Sequence, residues 1–252
     1  MQLRELVAYT DRLLAADRFS DYCPNGLQVE GRPEVKTVVT GVTACQALLD
    51  AAVAHAADAV LVHHGWFWKG EDPRVLGMKQ RRLATLLRHD ISLIAYHLPL
   101  DVHPELGNNA QLARVLDLSI TGSTGGNGQT PGLVLLGETA MPMSGVTFAA
   151  HLAARLGREP LHIAGTAAPI RRLAWCSGAA QSLIAAALEA GVDGFITGEA
   201  AEQTVHFARE NSLHFFAAGH HATERHGIQA LGAHLSEQTG LHCRFIDIDN
   251  PV

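Results

Sequence analysis

The chain has 252 residues, 47% of them apolar and 17% charged, with a formal net charge of −6. That balance supports one large or two ordinary hydrophobic cores and excludes a disordered chain. The acidic total argues against a dedicated nucleic-acid surface, leaving room only for a local basic patch.

The opening segment, 1–19, puts Leu3, Leu6, Val7, Leu13 and Leu14 at helical spacing, with Glu5 and Asp11 inside the pattern. It predicts an amphipathic helix rather than a secretory signal. No run reaches the roughly 18–20 apolar residues of a membrane span, so no membrane partner is expected. DYCPNGLQVEG (21–31) reads as a Pro-Asn-Gly turn, with no chemistry assignable to it. Cys23, Cys45, Cys176 and Cys243 stand far apart with no CxxC. They read as reduced thiols of a cytoplasmic protein.

Residues 37–65 read as strand, small-residue turn, Ala/Leu-rich helix, then the strand AVLVHHG. WFWKGEDPRVLGMKQRR (66–82) follows. Its Lys69, Arg74, Lys79, Arg81 and Arg82 lie among aromatics, as an anion- or nucleotide-holding segment would have them; the alternative, preferred on the residues alone, is a solvated loop with core tryptophans. LATLLRH (83–89) and ISLIAYHLPLD (91–101) form a further helix–strand unit, with Pro99 and Pro104 placing Asp101 on a loop and Asn108 or Asn109 capping the next helix. TGSTGGNGQTPG (121–132) predicts a loop or linker.

Residues 172–200 repeat the pattern of 37–65 at an offset of 135, matching Gln46 to Gln181 and Asp58 to Asp193. A second echo, at an offset of 123, relates His97-x3-Asp101 to His220-x3-Glu224. Helix 203–211 leads to strand LHFFAAG, and the tail ends in a strand, CRFIDI. We expect that strand to rejoin the first half. The chain is therefore expected to form two three-layer-like α/β domains with an internal pseudo-repeat and mixed, mainly parallel sheets. The first domain would comprise 1–127 plus 213–252, and the second, inserted, 128–212.

His63, His64, Asp101, His220 and Glu224 all fall just past apolar strands, where active sites of α/β sheets form. Neighbouring strand residues face opposite ways, so the two adjacent histidines serve one site only if the strand has ended, as Gly65 suggests, or if each binds its own ion. His220 and Glu224 meet on one face if a helix starts near Ala222. Five N/O ligands exceed the three protein ligands of a catalytic zinc and suit a pair of divalent ions, Fe, Mn, Zn or Co. His97 is a sixth candidate, a ligand or a proton carrier. Glu199, ending FITGE, is either a general base or a helix N-terminal acid. Three readings compete: a metal-dependent hydrolase, a metal-dependent phosphoesterase, and a non-catalytic metal-handling scaffold.

SDYCPNGLQVEG, VTGVTA, LVHHGWFWKG, YHLPLDVHPELGNNAQLA, FITGEA and AAGHHATERHG together resemble the Nif-three-like family of dinuclear metal centre hexameric proteins. The resemblance runs nearly end to end, apart from 121–132. It implies two α/β domains, a toroidal homohexamer, and ligands at His63, His64, Asp101, His220 and Glu224, with Glu224 bridging the ions. It further implies kinship with type-two GTP cyclohydrolase I, in which an activated water opens the imidazole ring of a purine nucleotide and formate leaves. His97 and Glu199 are then the expected proton-handling, catalytic residues.

Overall fold

The structure, a computed structural model, describes residues 1–125 and 132–252. It divides into two compact units: Met1–Gly107 with Gly227–Asp249, and Asn108–His226 with Asn250–Val252.

In the first unit α1 (Leu3–Leu14) begins where Gln2 N–H donates to the Glu5 carboxylate and ends at Ala15, a left-handed residue. It is followed by β1 (Gly26–Val29), β2 (Thr37–Thr43), α2 (Gln46–Ala54), β3 (Ala59–His64), α3 (Gly77–Arg88), β4 (Ser92–Ala95) and α4 (Leu98–Val102). The sheet runs β1-β4-β3-β2 and closes on β11 (His242–Phe245). β11 pairs parallel with β2, as expected for the tail strand, and β1 is the antiparallel edge. Successive strand residues alternate between two cores. Val38, Leu61 and Ile94 face α1 and Ile228, Leu231 and Leu235, whereas Val39, Val60 and Leu93 face Leu48, Leu49 and Leu86 of α2 and α3. Both faces are covered, which is why these strands read as unbroken apolar runs.

The second unit contains α5 (Asn108–Val115), β5 (Leu118–Thr124), β6 (Val134–Met143), α6 (Gly145–Leu156), β7 (Leu161–Ile163), β8 (Ile170–Trp175), α7 (Ile184–Glu189), β9 (Gly194–Thr197), α8 (Glu202–Glu210) and β10 (His214–Ala217). α9 (His220–Thr239) begins in it, and the helix residues from Gly227 onward count with the first unit. The sheet order is β5-β6-β8-β9-β10-β7; β8, β9 and β10 are parallel and the outer pairings antiparallel. Trp175, Ile196 and Phe216 pack with Phe148 and Leu152 on one face, and Ala174, Phe195 and Phe215 with Ile184, Ala187 and Ala208 on the other.

The division falls at 107 and 226 rather than at the expected 127 and 212. The cause is pairing: β5 pairs with β6, and β10 with β9 and β7, so both segments join the second sheet. The expected loop or linker at 121–132 is shorter at its start. Residues 121–124 belong to β5 and Gly132 N–H donates to Gly125 O at 3.1 Å, while 126–131 lie outside the described residues.

The repeat survives in atomic detail. Asp58 Oδ2 accepts the backbone N–H groups of Lys36 and Thr37; Asp193 Oδ2 accepts those of Arg171 and Arg172, each 135 residues on. Each carboxylate thereby ties the start of one parallel strand to the start of the next.

Candidate metal centre

In the first unit β3 delivers His63 and His64 to its carboxyl end, and Gly65 turns the chain. A Cβ at Gly65 would stand 2.6 Å from the Ala95 Cβ, which cannot swing away, and 2.3 Å from Gln28 Oε1. Gln28 accepts Trp66 N–H at 2.7 Å and donates to Trp66 O at 3.1 Å, fixing the turn. Although the two histidines are adjacent in a strand, their ring centroids are 4.5 Å apart. His64 is the last strand residue, so the alternation ends with it.

Asp101 is not on a loop. It lies in α4, because Pro99 falls in the first turn, where a missing N–H costs nothing. His97 precedes that helix as its N-cap residue. The Asp101 side chain is buried, with Oδ1 3.5 Å from His63 Nε2. Asn108 opens α5, and Asn109 binds Ser177 N–H and Leu133 O rather than capping.

The imidazoles are held from behind. His63 Nδ1 lies 2.9 Å from Tyr96 O, and a carbonyl only accepts, so Nδ1 carries the proton. His97 Nδ1 donates to Asp21 Oδ1 at 2.7 Å, and His64 Nδ1 is 3.2 Å from the Thr43 hydroxyl. Each ring is thus pinned through Nδ1, the usual arrangement for imidazoles that present Nε2 to a cation. His63, His64 and His97 offer ligand atoms within 4.8 Å of one another. Trp68 stands edge-on to His97, ring centroids 5.1 Å apart.

The segment 20–26, to which sequence reading gave no role, supplies these supports. Asp21 accepts from His97 Nδ1, Leu98 N–H and Asn25 Nδ2, and Asn25 Oδ1 accepts His97 N–H. Burial alone would raise the Asp21 pKa. The His97 hydrogen bond and charge, with Asn25 and Leu98, bring it below the ordinary carboxylate value. Cys23 beside it is pushed up to about 12 by burial and by Asp21, so it stays a neutral thiol.

In the second unit α9 begins at His220, two residues before the expected start, and His220 and Glu224 share one face, Nε2 to Oε2 3.1 Å. Glu199 Oε1 accepts from His220 Nδ1 at 2.7 Å, so the Glu199 carboxylate backs an imidazole as Asp21 does. Burial disfavours the His220 cation, but the hydrogen bonds and charges of Glu224 and Glu199 prevail and raise its pKa to about 9. The His220 imidazole and the Glu224 carboxylate are both donor types that would suit a divalent cation. Gly178, at φ +64°, lets Glu224 approach: a Cβ there would lie 2.1 Å from Glu224 Oε1.

Two cations of the basic segment 66–82 are paired within it. Lys79 meets Glu71 at 2.6 Å and lies over the Phe67 ring, and Arg74 clasps Asp72 at 2.7 Å. Trp66 is buried, its Nε1 donating to Ala44 O. Among the described residues no helix is long and apolar enough to cross a membrane.

Comparison with known proteins places these residues in context. The Duf34/NIF3 (NGG1p interacting factor 3) family model matches residues 1–251. The "GTP cyclohydrolase 1 type 2 homolog" of Pseudomonas aeruginosa is 60% identical over 250 residues, covering 99% of this chain and 98% of that protein. The solved structure of "protein ybgI, unknown function" superposes with a TM-score of 0.96 at 54% identity, and TTHA1606 from Thermus thermophilus with 0.88 at 35%, each over the whole of both chains.

Proposed function

The chain belongs to the Duf34/NIF3 family, and from that premise we propose that it is a divalent-metal-dependent hydrolase acting on a purine nucleotide. The proposed ligands are His63, His64, Asp101, His220 and Glu224. Two ions of the Fe, Mn, Zn or Co class suit these N/O donors. The observation that carries the reading is the pinning of the imidazoles among the ligands: His63 Nδ1 is committed to Tyr96 O and His220 Nδ1 to Glu199. Hydrogen bonds of that kind orient ligating histidines and raise their basicity.

When bound, such ions lower the pKa of a water and stabilise the charge that develops on the atom attacked. The chain's own groups then handle protons and position substrate. His97, with Asp21 behind it, takes up and returns a proton at Nε2. Glu199 acts through His220. Trp68, edge-on to His97, offers an aromatic surface to a base. Lys79 and Arg74 are already paired, so triphosphate recognition is not assigned to them. The name carried by the Pseudomonas aeruginosa relative supports GTP as the first substrate to try. We place the protein in the cytoplasm as a homohexamer.

Incubation of metal-loaded protein with GTP should release formate above a metal-free control. Equal formate in both contradicts the cyclohydrolase reading. A His97→Ala variant that keeps its metal but loses turnover distinguishes an enzyme from a metal-handling scaffold, whose role would survive the substitution.

A further inference from the structure

His97 and the Leu98 N–H that follows it are gripped at three points by one short segment. The Asp21 carboxylate receives the ring Nδ1 at 2.7 Å through Oδ1 and the Leu98 N–H at 2.9 Å through Oδ2. Asn25 Oδ1 receives the His97 backbone N–H at 2.8 Å, and Asn25 Nδ2 returns to Asp21 Oδ2 at 2.9 Å. Ring, backbone and helix start are therefore fixed by two side chains four residues apart. The Asp21 side chain is 2% exposed and that of His97 15%, so water competes little for this bond. The other faces of the ring meet Trp68, Tyr22, His63 and His64, with centroids 5.1 to 6.4 Å away.

An unrestrained imidazole exchanges between two neutral tautomers, and only one leaves Nε2 able to accept a proton. A carboxylate at Nδ1 selects that one, because it can only accept. We propose that Asp21 is a positioning residue, seated by Asn25, that holds His97 as the Nδ1–H tautomer with Nε2 presented beside His63 and His64 as a proton acceptor. The role of that acceptor in hydrolysis rests on the metal-site reading above; the tautomer does not. Glu199 and His220 repeat the device in the second unit, with the carboxylate supplied from a different place in the chain.

The test is nitrogen NMR of metal-free protein labelled with 15N-histidine, at a pH about two units above the ordinary imidazole value so that rings are neutral. The His97 signals are those lost in His97→Gln. The expected wild-type spectrum shows a protonated Nδ1 and an unprotonated Nε2. Asp21→Ala should give the tautomer mixture of an unrestrained ring. A wild-type His97 protonated on Nε2 overturns the proposal, and so does a tautomer unchanged in folded Asp21→Ala. The wild-type spectrum decides even if the alanine variant does not fold. Protein that binds no divalent ion yet shows this tautomer would refute the metal reading alone. Protein that binds ions with His97 protonated on Nε2 would refute this one alone.

Discussion

Gly178 shows how closely single residues constrain the candidate centre. At φ +64° it occupies backbone space that costs an L side chain about 1–3 kcal/mol, and its added Cβ would stand 2.1 Å from Glu224 Oε1. Gly178→Ala should therefore lower the thermal midpoint and reduce bound metal together, measured by calorimetry and elemental analysis on one preparation. Normal metal content in the variant would detach Gly178 from the site. The candidate ligands could be named from the sequence, because His63, His64, Asp101, His220 and Glu224 each fall at or just past the end of an apolar run. Their supports were not. Asp21 reaches His97 across 76 residues and Gln28 reaches Trp66 across 38, and no local pattern announces such partners. Asp101 was misplaced on a loop for a local reason: proline breaks a helix interior but is welcome in the first turn.

The parallel strand pairs β2–β3 and β8–β9 are tied at their starts by Asp58 and Asp193. A carboxylate accepting two backbone N–H groups contributes on the order of 1.5–3 kcal/mol per buried bond and less when exposed. Asp58 is 9% exposed and also pairs with Arg32 at 3.0 Å. Asp58→Ala should thus destabilise more than Asp193→Ala, by denaturant unfolding; the reverse order would contradict the burial argument. The repeat was readable because these parallel βαβ units keep their apolar runs and their Asp at one offset. The antiparallel strands β5, β6 and β7 went unread, since β5 is mostly exposed, β7 has only three residues and β6 turns polar and exposed after its short apolar start. β7 carries its own pH dependence. His162 stacks on Phe216 of the neighbouring strand, centroids 4.5 Å apart, and burial, with the nearby His214, holds its pKa below the ordinary 6.5. The unfolded chain then binds more protons than the folded one below that value. This contribution to stability is present above pH 6.5 and is lost as pH falls toward the depressed folded pKa. His162→Phe should flatten the fall in thermal midpoint on acidification, and an unchanged slope would exclude His162 as its source.

Taken whole, the chain is two α/β units, each with one sheet covered on both faces, and each bringing carboxylate-backed imidazoles to strand ends. The two-domain plan was evident from alternating strand and helix patterns. Its boundaries were not, because β5 and β10 join the second sheet through pairings that sequence does not display. If the protein assembles as proposed, light scattering coupled to size-exclusion chromatography gives about six times the 26.9 kDa chain mass; a monomer mass would refute the hexamer and leave the ligand assignment standing. The functional account depends on the ligands themselves. Elemental analysis of purified protein, set beside His63→Ala and Glu224→Ala, addresses them directly. The account predicts about two divalent ions per wild-type chain and a clear loss in each variant. Folded variants that retain the wild-type metal content would contradict it.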